Sequence, residues 1–160
     1  MDCIISNIKS NQIPVFQIVK SNNNETHKVI FEEKEELHNV YSISKNFIAT
    51  AIGILIDEGK LCIDQSIYSI FRNKYTWIDT KWDNVKIKDV LTQTTGIENG
   101  FLDIDCDNVN DYPYDDYLIM VFQKELKFKP GTHFAYSDSN YYLLSRIIKE
   151  SLLIIRTKTE

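Results

Sequence analysis

Between residues 13 and 32, apolar and β-branched positions fall into two short runs, IPVFQIVK and THKVIFE, on either side of a polar stretch from Ser21 to Asn24. Two β-rich runs around such a stretch predict an antiparallel hairpin. From Ser42 the period changes. Phe47, Ile48, Ala51, Ile52, Leu55 and Ile56 recur at helical spacing and Gly59 supplies a stop, which predicts a helix over Ser42 to Glu58. A shorter helix is predicted over Lys86 to Gln93, where Ile87, Val90 and Leu91 share a face, ending at Thr95-Gly96. Another is predicted to begin at Pro113, a residue suited to the first helical position, and to run through Leu118, Val121 and Phe122. Lys129-Pro130-Gly131 predicts a turn and HFAYSDSN an extended stretch. Ser137 or Asp138 can then cap a last helix carrying Leu143, Leu144, Ile147 and Ile148.

A hairpin followed by helices makes the expected fold class α+β rather than alternating βαβ. No repeat, low-complexity tract or linker marks a boundary, so one domain is expected over 1–160. Its parts are a hairpin region 1–40, a helix 41–60, a helical region 61–150 and an atypical tail 151–160. A chain of 160 residues can bury roughly 70% of its unfolded surface, enough for a true core. Hydrophobic residues at 43% and charged residues at 26%, with few prolines and glycines, exclude a disordered or collagenous chain.

The net charge of -5 argues against nucleic acid or an anionic membrane surface as partner. No apolar run approaches the ~18 residues of a membrane span, and MDCIISNIKSNQIPVF lacks the basic and apolar regions of a secretory signal. Cys3, Cys62 and Cys106 are odd in number and form no CxxC pattern, as expected for free thiols in a reducing compartment. These features predict a cytoplasmic location for the chain as it stands.

Candidate chemistry centres on YSISKNF, residues 41–47. Lys45 lies one helical turn beyond Ser42, where a base can reach a hydroxyl nucleophile, and a helix N-terminus offers partial positive charge to an oxyanion. The tetrapeptide alone is weak evidence, because Ser6-Asn7-Ile8-Lys9 fits it too. A serine at a helix start is commonly a cap, and an exposed lysine a solvated charge. The spacing of Asp103, Asp105 and Asp107 imitates a calcium loop, but Asn108 and Tyr114 stand where glycine and a bidentate glutamate belong, so an acidic surface loop is the better reading. His27, His38 and His133 show no ligand spacing; no metal site is expected, and His133 reads as structural. Tyr75, Trp77 and Trp82 read as core or lid packing.

Three ordered segments sharpen the picture. VYSISKNFIATAIGILIDEGKLCIDQSI, then IKDVLTQTTGI, then KPGTHFAYSDSNYYLLSRIIKE together resemble the serine β-lactamase and penicillin-binding protein superfamily, and within it the class C branch with its D-alanyl-D-alanine carboxypeptidase and esterase relatives. In the middle segment Gln93 and Thr95 replace a usual histidine and serine. The resemblance implies that Ser42 is the acylated nucleophile, Lys45 its proton-relay partner and Tyr136 the residue that activates serine and later water. It implies a substrate-binding role for position 138, where Asp138 replaces the usual asparagine. A carboxylate there favours a charged Lys45, and unlike an amide it has no hydrogen to donate to a substrate carbonyl. The implied substrate is a β-lactam, a D-Ala-D-Ala peptide or an ester, and no cofactor is required.

Members of the superfamily are about twice as long and carry a third motif, K-T-G or H-x-G, on a late strand. None of the 160 residues fits it, and the likeness fades after Glu150. The expectation is therefore a partial β-lactamase/transpeptidase-like fold lacking the C-terminal strands, cut or frame-shifted, with impaired activity alone. The alternative is a catalytically inactive binding or interaction fragment that needs a partner chain, and an uncovered sheet edge predicts self-association.

Overall fold

The computed structural model describes residues 2–33, 37, 39–102 and 108–156. They fall into two compact units, residues 1–40 and 41–160. Asp103, Asp105, Asp107, Cys106 and His38 lie outside the described residues.

The first unit holds α1 (Asp2–Ser10), β1 (Gln17–Ser21) and β2 (Thr26–Ile30). The strands pair antiparallel from Gln17 with Ile30 to Ser21 with Thr26, as the two apolar runs predict. Asn22 closes the turn: its Oδ1 accepts from the N–H groups of Asn24 at 3.0 Å and Glu25 at 2.8 Å, an Asx turn that a short polar side chain makes readily. No further strand joins the pair among the described residues. The helix α1 was not foreseen; Asp2 in its first turn and Lys9 in its last suit the helix dipole.

The second unit is helical. After a 3₁₀ turn at Tyr41–Ile43 come α2 (Ser44–Asp57), α3 (Ile67–Phe71), a 3₁₀ turn at Thr80–Asp83, α4 (Ile87–Leu91), a 3₁₀ turn at Val109–Asp111, α5 (Tyr117–Gln123) and α6 (Asp138–Arg156). Gly59 ends α2 as expected. Its φ of +69° lets Lys60 N–H reach Leu55 O at 2.8 Å and Gly59 N–H reach Ile56 O at 2.9 Å, the paired bonds of a Schellman stop. HFAYSDSN, residues 133–140, read from the sequence as extended, forms no strand: 138–140 already belong to α6, and Ala135 N–H bonds Gln93 O at 2.9 Å.

The helix expected from Pro113 begins at Tyr117. Asp116 is the cause: its Oδ1 accepts from Leu118 N–H at 3.2 Å, and its other oxygen takes the Tyr75 hydroxyl. A satisfied cap three residues on outweighs the preset φ of proline. α3, with five residues, is too short to show a period, and is held by the Ser66 hydroxyl accepting from Ser69 N–H at 3.1 Å.

α2 and α4 pack on α6, with Ile52, Val90, Leu143, Leu144 and Ile147 fully buried at the contact. Each such side chain contributes about 1.5–3 kcal/mol. Trp82, fully buried, sits edge-on to Phe122 with centroids 5.4 Å apart and donates its Nε1–H to Phe122 O at 3.2 Å. Tyr75 is buried beside it and Trp77 stands half-exposed at the rim.

Asp116 and Tyr75 also set a pH dependence. Burial raises the Asp116 pKa, but the bonds from Tyr75 and Leu118 with the Arg146 and Lys74 charges outweigh it, and the net direction is down. Burial first, then the Asp116 carboxylate, hold the Tyr75 phenol above its usual value. Asp116 therefore contributes stability that is present above its unfolded value of ~3.9 and lost as pH falls through the depressed folded one. Tyr75 contributes stability present below ~10 and lost as pH rises through its raised folded value. Thermal unfolding of Asp116→Ala at pH 7 should show a loss of about 1 kcal/mol or more, since the cap goes and the Tyr75 hydroxyl is orphaned. Its melting curve should also depend less on acid pH than that of the wild type.

Candidate active site

Ser42 lies in the 3₁₀ turn that leads into α2, beside a helix start whose first N–H groups have no intrahelical partner. Tyr41, immediately before it, has a φ of +44°. A non-glycine residue in the left-handed region costs about 1–2 kcal/mol, and such strain clusters at functional turns. Nothing in the residue type announces it.

From Ser44 the chain is helical, so Lys45 comes round to the side of Ser42. Its Nζ donates to Ser42 Oγ at 3.1 Å. Tyr136, ninety-four residues later, donates its hydroxyl to the same Oγ at 2.8 Å. Lys45 Nζ also donates to Asp138 Oδ1 and lies 5.0 Å from the centre of the Tyr136 ring. The four residues singled out in the sequence thus meet at one point. Ser6 and Lys9, the other S-x-x-K, sit in α1 in the other compact unit and gain no such company among the described residues.

The electrostatics of the cluster centre on Lys45. Burial lowers its pKa, but the Asp138 hydrogen bond and charge, with the Tyr136 contact, outweigh that and leave it raised. Lys45 is therefore an ammonium at neutral pH, a donor to Ser42 rather than an acceptor of its proton. Removing the Asp138 carboxylate leaves the Lys45 charge uncompensated beside Ser42 Oγ, where it favours the alkoxide, so Asp138→Asn should speed covalent labelling of Ser42 at pH 7 by about tenfold, the low end of what one adjacent charge does to an ionisation. Labelling rates followed from pH 6 to 10 check this, with the largest gain at the acid end.

Among the described residues no cluster of histidine, cysteine, aspartate or glutamate could hold a metal ion. His133 stacks on Phe128 with ring centres 3.8 Å apart. Cys3 and Cys62 are exposed free thiols, and no helix is long and apolar enough to cross a membrane among the described residues.

Sequence reasoning treated Gln93 only as a departure from the usual residue, yet its side chain is buried and accepts from Ser137 N–H at 3.1 Å. Gly100 likewise drew no notice. A β-carbon there would lie 2.5 Å from Tyr136 O, so the backbones touch.

The Beta-lactamase family model matches residues 21–152. Protein flp of Staphylococcus aureus (strain NCTC 8325 / PS 47) is 29% identical over 112 residues, covering 70% of this chain and 22% of that protein. A class C β-lactamase structure superposes with a TM-score of 0.70 at 24% identity, covering 94% of this chain and 43% of that one. A penicillin-binding protein from Bacillus halodurans gives 0.59 at 20% identity, covering 92% and 48%. The chain thus spans about a fifth of the curated relative and less than half of either structure. What it shares with them is a partial β-lactamase-like fold.

Proposed function

This chain belongs to the β-lactamase family of serine hydrolases, and on that premise we propose that Ser42 is a nucleophile that forms an acyl-enzyme and is freed by water. The hydrogen bond from Tyr136 to Ser42 Oγ carries the reading, because it joins residues that only a folded site brings together. Tyr136 relays the proton: exposed to water, it first loses its own proton to solvent, and the phenolate then takes that of Ser42 as Oγ attacks the carbonyl carbon. The leaving amine or alkoxide takes that proton when the tetrahedral intermediate collapses. Water then attacks the acyl ester, loses a proton by the same route, and releases the acid with Ser42 restored. Lys45, held as an ammonium by Asp138, supplies positive charge beside the ionised groups. The substrate class is a β-lactam, a D-Ala-D-Ala peptide or a simple ester, and no cofactor takes part.

The chain acting alone is proposed to be slow. None of its residues fits the superfamily's third motif, whose strand the resemblance implies supplies an oxyanion N–H, and one lost oxyanion donor costs about 10² to 10³ in rate. Intact-mass analysis after incubation with a fluorophosphonate or labelled penicillin tests the proposal. One adduct on the wild type and none on Ser42→Ala is expected. No adduct on the wild type, or an equal one on Ser42→Ala, overturns the mechanism.

A second reading, a binding fragment that pairs with another chain, draws on the exposed apolar residues of and just before α2: Ile43 at 60%, Phe47 at 70% and Ile54 at 53% exposure. Their spacing places them on one side of the helix. The open edges of the β1–β2 pair offer another route to self-association. Light scattering separates the readings. A stable monomer that hydrolyses nitrocefin or p-nitrophenyl acetate through Ser42 rules the second one out.

A further inference from the structure

We propose that Gln93 is the positioning residue that aims Tyr136 at Ser42; this rests on the reading of Tyr136 as the proton partner of Ser42. Tyr136 needs such a device. Its side chain is 53% exposed, so core packing does not hold the ring, and its direction depends on the backbone that carries it. Residues 132–137 belong to no strand or helix that would hold that backbone by a regular ladder.

Gln93 supplies the missing hold from both sides. Its main-chain carbonyl accepts from Ala135 N–H at 2.9 Å, one residue before Tyr136. Its side-chain Oε1 accepts from Ser137 N–H at 3.1 Å, one residue after, and from Asn140 Nδ2 at 2.6 Å in the first turn of α6. Both side-chain partners are donors, so the amide must turn its oxygen toward them. Gln93 thereby fastens Ala135 and Ser137 to the end of α4, with Tyr136 between them.

The backbone of Gln93 is shaped for this. Its φ is +62°, at the residue just past the α4 cap where glycine or asparagine is usual, and it is 5% exposed. A buried glutamine in that conformation sits against its own backbone preference, and its three acceptor contacts all go to the segment around Tyr136 and to α6. The same segment also meets Gly100, whose backbone touches Tyr136 O, and Phe101, whose N–H donates to Ser137 Oγ at 3.3 Å. Gln93 makes no contact with Ser42 among its hydrogen bonds; it acts through the direction of the Tyr136 hydroxyl. A displacement of about 1 Å at a reacting group can cost on the order of 10²-fold in rate, so a lost anchor should be visible in kinetics.

The test uses the full chain with Gln93→Met, which keeps the length and removes the acceptor, and Gln93→Glu, which keeps an acceptor in place. Two readouts are taken where circular dichroism shows each variant folded: the rate of fluorophosphonate labelling at Ser42, and amide hydrogen exchange at Ser137. Gln93→Met should label about tenfold or more slowly and lose Ser137 protection, whereas Gln93→Glu should stay within about threefold of wild type. Val121→Ala, a core change in α5 that lowers general stability, should leave both readouts unchanged. Wild-type labelling by Gln93→Met, or equal slowing in Gln93→Glu, overturns the proposal. If the wild type carries no adduct at Ser42, the reading of Ser42 fails instead, and exchange alone decides the positioning role: unchanged Ser137 protection in Gln93→Met refutes it, and lost protection supports it.

Discussion

Replacing Tyr136 with phenylalanine is expected to slow acylation of Ser42 by about 10²- to 10³-fold while leaving the unfolding temperature unchanged. Both halves follow from where the side chain sits. The hydroxyl donates to Ser42 Oγ at 2.8 Å, and the ring is half-exposed beside Lys45 rather than buried among apolar neighbours. Phenylalanine keeps the ring under the Lys45 ammonium and deletes the group proposed to take the proton of Ser42. Labelling kinetics and thermal unfolding of the same preparation check the prediction. A rate reduced by less than about threefold would make Lys45, not Tyr136, the acceptor, since general-base groups typically contribute 10²–10⁴-fold. A fall in melting temperature would show a structural role that the exposed ring does not suggest.

Gly96→Ala is expected to lower stability by about 3 kcal/mol or more and the melting temperature by about 10 °C. Two costs combine there. The φ of Gly96 is +96°, a conformation side chains rarely adopt, and a β-carbon would lie 2.3 Å from the main-chain oxygen of Phe128. That oxygen cannot swing aside as a side chain would, because Phe128 N–H is bonded to Gly96 O at 3.1 Å and Gly131 N–H to Thr94 O at 2.8 Å. The stretch 127–131 would have to move as a piece, and it leads directly to Ala135 and Tyr136. Gly53→Ala is the internal control. It lies in the middle of α2 with nothing within 4 Å of the added carbon, so it should raise stability by about 0.5–1 kcal/mol. Melting curves of the two single variants, moving in opposite directions, would separate steric conflict from a general intolerance of glycine replacement.

The second prediction shows why TQTTGI is legible only in part. That a turn stands at Thr95-Gly96 follows from glycine itself, but that its backbone is pressed against Phe128, thirty-two residues on, depends on how the chain returns. Asp116 teaches the same lesson. It looks like one acid among several in an acidic stretch, and becomes a helix cap because Tyr75, forty-one residues earlier, delivers a hydroxyl to its other oxygen. Asp138 was legible in sign but not in use: its charge favours an ammonium at Lys45, and the fold spends one oxygen directly on that ammonium. Between the two candidates for capping α6, Ser137 does the work, its Oγ accepting from Ser139 N–H at 3.1 Å.

What the sequence by itself determined is what short-range rules control. The β1–β2 hairpin, the existence and Schellman stop of α2, and the placing of Lys45 one turn from Ser42 all depend on periodicity and on single residues such as Asn22 and Gly59, although the first turn expected as α-helix is a 3₁₀ turn and α2 starts at Ser44. These interactions close within a few residues, so composition and spacing suffice to foresee them. The tertiary structure alone decided how Gln93 anchors both neighbours of Tyr136, and where Gly96 and Gly100 allow backbones to touch. Those contacts join segments dozens of residues apart, and their geometry is set by the packing of α2 and α4 on α6, which no local pattern encodes.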